Sequence, residues 1–290
     1  MAIAPIAVFA QVNIAVEESD RLFSKGTQPS FLVEIPENKL KDVERDWMKY
    51  LNTNSAKGFK PETVNGEIIM RGAQNKNVSP APFVVYSKLL ETATGVRLTA
   101  WMSDNDSVFI SKALGNDKDI AANKYVRDFA VQQYREVVKR ELGREEDKLK
   151  KLEGDLKGLI NDEDKSKKKI NANDREIERN RSQIAINKSD ETRKVEQINN
   201  KKTVVNNTRQ AYGNTNKEAK KGLADLEKER KKIEANSEKL NREIDNLQKD
   251  IREDERNITQ SQQTQRQKIN EIEDQKNRIK VLDNKLRSIL

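Results

Sequence analysis

Asp104 and Asp106, two carboxylates one residue apart, have the spacing with which a calcium-binding loop begins. An EF-hand loop needs Gly at its sixth position for the sharp turn and Glu at its twelfth for bidentate ligation. Counted from Asp104, those positions hold Phe109 and Gly115. The pair is better read as the Asp-Asn-Asp corner of a hairpin. Trp47 and Trp101 could form a flat ligand platform. However, Trp47 falls on an apolar helical stripe and Trp101 alternates within a strand, which makes both core residues. The densest cationic run is Lys165, Lys167, Lys168 and Lys169, with Lys217, Lys220 and Lys221 further on. These could contact phosphates. Asp162, Glu163 and Asp164 precede the run, so the pattern is that of a solvated helix face.

The chain has no cysteine and no histidine. Thiol chemistry, disulfides, the usual zinc sites and every histidine-dependent triad are excluded. No phosphate-binding Gly-rich loop and no Gly-x-Ser-x-Gly elbow occurs. We therefore expect no cofactor, no metal and no enzymatic activity. A carboxylate pair assembled in three dimensions is the remaining route to catalysis.

The elements that would position these residues divide sharply along the chain. Both tryptophans, all seven phenylalanines and four of the five tyrosines precede residue 140. A modest globular head is thus followed by a segment that builds no compact core. Net charge is +8. It is spread as a mixed surface without a long basic stripe, which argues against nucleic acid as a partner.

In the head, residues 31–35 read as a strand closed by Pro36. Residues 37–52 follow as an amphipathic helix with Leu40, Val43, Trp47, Met48 and Leu51 on one face. Strands are expected at 64–72, 83–94, 96–103 and 107–111, and a helix from about 118. The fold class is α+β: a small antiparallel-sheet two-layer head, residues 11–117, followed by a long antiparallel coiled-coil helical hairpin.

The hairpin signal is specific. Leu142, Leu149, Leu156, Ile170, Ile177, Ile184, Ile198 and Val205 recur at sevens through the first arm, residues 118–212. Leu223, Ile244, Ile251, Ile258, Ile272, Ile279 and Leu286 do the same in the second, residues 217–290. A seven-residue repeat held this long is a coiled coil. The two arms are out of frame, and Gly213, Asn214, Thr215 and Asn216 lie between them as a turn. Folding back there sets a positions against d positions: Val205 against Leu226, Ile198 against Ile233, Leu149 against Leu282 and Leu142 against Ile289. Glu163 then faces Lys268 and Ser166 faces Gln265, so both arms lose their apolar seam together. The arms would run on the order of 105 Å.

Asn173, Asn180 and Asn187 occupy consecutive d layers against Ile258, Ile251 and Ile244. Polar core positions lower stability and favour one register. This stretch is the candidate interaction surface, for a protein partner or a second copy. The alternative is a marginal, flexible hairpin.

Residues 1–10, MAIAPIAVFA, form an uncharged apolar stretch. Val8-Phe9-Ala10 fits the small-residue pattern of a signal-peptide cleavage site. The stretch is read as a truncated signal peptide, with an ordinary N-terminal strand of the head as the alternative. The former makes the protein periplasmic or secreted, the latter cytoplasmic. The composition resembles that of secreted bacterial proteins. No transmembrane segment is expected in the mature chain. The expected function is a non-enzymatic structural or adaptor protein of the bacterial cell envelope that uses its hairpin for spacing or protein contact. A long hairpin on a small head resembles adaptor arms, chaperone tentacles and periplasmic spacers, although the polar tip disfavours client grasping. The alternatives are a cytosolic nucleic-acid-associated protein binding through arm lysines, and an enzyme in the head.

Overall fold

The computed structural model describes residues 13–104, 107–114, 117–212 and 217–289. The leader expected at residues 1–10 and the turn expected at Gly213, Asn214, Thr215 and Asn216 lie outside these. The chain forms two compact units. One comprises residues 1–150 and 273–290, the other residues 151–272.

The first unit holds a six-stranded, wholly antiparallel sheet in the order β1-β2-β6-β5-β4-β3. Its strands are β1 (Val16–Phe23), β2 (Gly26–Pro36), β3 (Glu62–Val64), β4 (Glu67–Asn75), β5 (Ser79–Thr92) and β6 (Gly95–Ser103). Strand side chains alternate between faces, so each strand divides its residues between two clusters. Phe31, Val33 and Ile35 of β2, Phe83 and Val85 of β5, and Val96, Leu98, Ala100 and Met102 of β6 point to the helical side. There α1 (Leu40–Thr53) contributes Val43, Trp47 and Leu51, one helical turn apart.

The long helix α2 (Lys118–Tyr212) begins in the same core. Tyr125, Val126, Phe129, Ala130, Tyr134 and Val138 are all buried there. Ile289, just past the end of α3 (Lys217–Ser288), is fully buried among them, and its carbonyl accepts a bond from Arg135 Nη1 at 3.3 Å. The head's unit therefore extends beyond residue 117 into the bases of both long helices.

The opposite face of the sheet carries a second cluster: Phe23, Ile69, Val84, Tyr86, Trp101 and Phe109. Phe23, at the end of β1, stacks on Trp101 with ring centroids 4.6 Å apart. The Trp101 indole donates to the Arg21 carbonyl, and the Ser24 amide donates to Glu67 of β4. The end of β1 thus lies across the sheet face and buries its aromatic residues. Trp47 and Trp101 belong to different clusters on opposite faces, so they form no common platform.

The expected order of head elements differs from the observed one at three places. β1 and β3 have no counterpart among the strands that the sequence pattern predicts. β1 (VEESDRLF) is an edge strand dense in charge, and its only buried residue is Phe23 at the end. β3 is three exposed residues long. The strand expected at 107–111 is only an isolated bridge between Ser103 and Phe109, because Phe109 is drawn into the aromatic cluster.

In the second unit, residues of α2 and α3 run antiparallel as a helical hairpin. All six prolines lie before residue 83, so nothing in the arms lacks a backbone donor. No helix among the described residues is long and apolar enough to cross a membrane.

Candidate functional site

The seam of the hairpin contains more polar side chains than apolar packing alone would favour, and most of them are partnered across it. Glu163 accepts bonds from Gln262 Nε2 at 2.9 Å and Gln265 Nε2 at 2.7 Å, and pairs with Lys167 at 2.7 Å. Hydrogen bonding from Lys167 first, then from the two glutamines, lowers its pKa from 4.5 to about 2. Asp254, 6% exposed, accepts a bond from Ser166 Oγ at 3.3 Å and pairs with Lys169 at 3.6 Å. Ser261 Oγ donates to the Leu159 carbonyl. Lys194 pairs with Glu229 at 2.7 Å.

The sequence-derived interaction residues lie in this seam. Asn180 and Asn187 are buried, as is Ile244, while Asn173, Ile251 and Ile258 are half-buried. Asn187 Nδ2 donates to Ser237 Oγ at 3.1 Å.

These contacts correct the expected register. Asn187 meets Ser237 where Ile244 was expected. Ser166 meets Asp254 where Gln265 was expected. Glu163 takes Gln262 and Gln265, while Lys268 turns to Asp155 and Glu271. Partners lie about one heptad closer to the turn than the apolar pattern implied. The physical reason is degeneracy. Sliding one arm by seven residues sets a against d again, so apolar spacing alone does not choose between the registers. Polar complementarity does.

Three of the seven arm lysines named as candidate phosphate contacts are engaged by acids. Lys165 pairs with Asp162, Lys167 with Glu163 and Lys169 with Asp254.

In the head, Asp104 of the Asp-Asn-Asp turn pairs with Lys118 at 2.6 Å, which is the behaviour of a turn residue holding the start of α2. Asp106 lies outside the described residues. No group of three or more His, Cys, Asp or Glu side chains that could hold a metal occurs among the described residues.

The sequence did not point to a cleft at the amino end of α1. It has a volume of about 540 Å³ and is lined by Glu37, Asn38, Lys39 and Asp42 on one side and by Arg140, Gly143, Arg144 and Asp147 of α2 on the other. Glu37 has a left-handed backbone (φ 58°), which is uncommon for a residue with a side chain. Three partners hold it there. Its amide donates to the Thr94 carbonyl at 2.8 Å, and its carboxylate accepts from Lys285 Nζ at 2.8 Å and from the Tyr134 hydroxyl at 3.4 Å. Gly95, opposite, approaches the Ile35 carbonyl too closely to carry a Cβ. Burial works to lower the Lys285 pKa. The bond to Glu37 and its charge outweigh that effect and raise it. The Lys285 ammonium also lies 5.4 Å from the centre of the Tyr134 ring. The sequence signal for this cleft is a helix start, Pro36-Glu37-Asn38-Lys39, without a capping side chain at the N-cap. Arg140 and Arg144 stand one helical turn apart on α2, a spacing that is visible only once their helix is known to face α1.

Comparison of the chain with protein-family models and with curated proteins gives no match.

Proposed function

We propose that this chain is a non-enzymatic structural or adaptor protein of the bacterial cell envelope, with the helical hairpin as its element of spacing or protein contact. The observation that carries the reading is the partnered seam. Glu163, Asn187 and Lys194 of the first arm find Gln262 and Gln265, Ser237 and Glu229 of the second. A hairpin aligned by such pairs is specified as a two-helix object without a third helix. Its outer faces then remain for other contacts, with Ile186 and Val204 exposed. The ion pairing of Lys165, Lys167 and Lys169 supports a protein partner over nucleic acid, because interleaved acids oppose a phosphate backbone.

The envelope part of the reading rests on residues 1–10. It is tested by cell fractionation together with determination of the mature N-terminus. A periplasmic chain beginning at Gln11 supports it, and a cytoplasmic chain retaining residues 1–10 overturns it. The contact part is tested in cells with a photo-crosslinking residue at Ile186 or Val204. A discrete adduct from arm sites and none from exposed Leu22 of the head supports it. Adducts from the head alone refute it.

A further inference from the structure

The arms carry their charge unevenly. In the second unit, residues 151–196 and 225–272 together hold 23 Lys+Arg and 23 Asp+Glu, a balanced surface. Residues 197–224, which include the last turns of α2 and the first turns of α3, hold six Lys+Arg and a single acid, Glu218. Five of the chain's net +8 charges therefore fall within these 28 residues. The mixed surface read from the sequence holds for the body of the hairpin and fails at this end.

Pairing and distance single out four of these cations. Lys202 reaches Glu227 at 3.6 Å, and Lys201 lies along Gly222. Arg209, Lys217, Lys220 and Lys221 are exposed and have no ion-pair partner among the described residues. Unpaired lysines occur in the body too, at Lys151, Lys157, Lys168 and Lys249, but acids equal in number to the cations surround them. Arg209 stands three residues before Tyr212, where α2 ends, and Lys217, Lys220 and Lys221 open α3. At about 1.5 Å per residue all four lie within about 6 Å of a helix end, inside the Debye length of about 8 Å at physiological ionic strength. Lys201 and Lys202 lie about 15 Å back from Tyr212 and are screened. The helix dipoles add little, because the negative end of α2 and the positive end of α3 oppose each other. The field at this end is thus set by four cations against one acid.

Geometry selects the partner. A duplex nucleic acid gains affinity by meeting many cations along its length. Lying along the arms, it would meet the balanced body, whose acids oppose it. An anionic plane needs only the end. Among the described side chains of residues 197–224, Val204 alone is a large apolar group that is exposed, so such a contact rests on charge and stays at headgroup level. We propose that the hairpin end bearing Arg209, Lys217, Lys220 and Lys221 docks on the surface of an anionic lipid bilayer. This contact is separate from the protein contact assigned to the arm flanks. Each Lys or Arg near such a surface strengthens binding about fivefold.

The test co-sediments the full chain at low salt with vesicles of phosphatidylglycerol mixed into phosphatidylcholine, and with vesicles of phosphatidylcholine alone. Binding should occur with the mixed vesicles only, and should vanish in about 1 M salt, where the Debye length is about 3 Å. The variant combining Arg209→Gln, Lys217→Gln, Lys220→Gln and Lys221→Gln should bind about a hundredfold or more weakly with an unchanged helical signal, since Gln is a good helix former. The variant combining Lys151→Gln, Lys157→Gln, Lys168→Gln and Lys249→Gln removes the same charge from the body and should lose less than about fivefold. Three results would overturn the proposal: no binding to the anionic vesicles, equal loss in the two variants, or short duplex DNA displacing the vesicles at equal phosphate concentration. Because the assay is independent of compartment and of any protein partner, its failure would leave the fractionation and crosslinking outcomes standing.

Discussion

Replacing Asn187 and Ser237 together by cysteine should join the two arms of the hairpin by a disulfide, whereas the pair Asn187→Cys with Ile244→Cys should not. In the structure the Asn187 amide lies 3.1 Å from the Ser237 hydroxyl, so thiols at these positions face each other across the seam. The register implied by apolar spacing would place Ile244 there instead. The two alternatives differ by seven residues of the second arm, about 10 Å along a helix rising about 1.5 Å per residue. A disulfide tolerates Cα separations of only about 4.4–6.8 Å, so one register cannot mimic the other. The native chain has no cysteine to compete. The two bridged residues are 50 apart. On the chain-entropy account, closing a loop of that size stabilises the hairpin by up to about 4 kcal/mol, and strain reduces the figure. Oxidation is followed on non-reducing denaturing gels with peptide mapping, and stability by urea unfolding with circular dichroism. Bridging of 187 to 244 at a rate equal to or above that of 187 to 237 would refute the register and the role assigned to its polar pairs.

Three further outcomes follow from the packing. Ile289→Ala removes three carbons from a fully buried site in the head's core and should cost about 2–5 kcal/mol, read from denaturant unfolding by the fluorescence of Trp47 and Trp101. Ile186→Ala, at an exposed position, should change it by less than about 0.5 kcal/mol, and equal effects would mean that the chain end is not docked. Ser87→Ala strands the buried Trp47 indole N–H, which donates to Ser87 Oγ at 2.7 Å, and should cost about 1–3 kcal/mol. A neutral result would show that the indole has another partner. Glu163 has a folded pKa near 2 against an ordinary value of 4.5, so its stabilising contribution is complete above about 4.5 and is lost as pH falls toward 2. Acid titration of the hairpin's helical signal should therefore show a loss in that window that Glu163→Gln reduces; an unchanged profile would exclude Glu163 as its source.

The hairpin was legible because its information is one-dimensional. Leu142 to Val205 and Leu223 to Leu286 announce two helices, and the absence of proline lets each run unbroken. The head was legible where periodicity is strong, as in Phe31-Val33-Ile35 and Val43-Trp47-Leu51. It was illegible at β1, because an edge strand buried at one end has no alternation to display. The cleft was illegible for a related reason. Asn38 and Arg140 are about a hundred residues apart in the chain, and nothing in either segment's pattern refers to the other. The apolar repeat likewise left the register open, since it looks the same after every shift of seven.

That degeneracy gives the polar seam a purpose that holds whether or not a partner binds there. An arm of uniformly apolar a and d layers would pair nearly as well one heptad away, and the population would divide between alignments. Each polar layer breaks the symmetry differently. A shift of one heptad parts Asn187 from Ser237, and Asp254 from Ser166 and Lys169. A slipped hairpin would then bury Asp254 without partners, which is far costlier than forfeiting a few apolar contacts. Within the first unit, the chain end is held separately, by Ile289 in the head's core and by Lys285 on Glu37. In the candidate surface, a partner needing the Asn187 side chain would have to open its bond to Ser237, which helps to fix the alignment of the arms. The exposed flanks at Ile186 and Val204 carry no such cost, which makes them the better place to look.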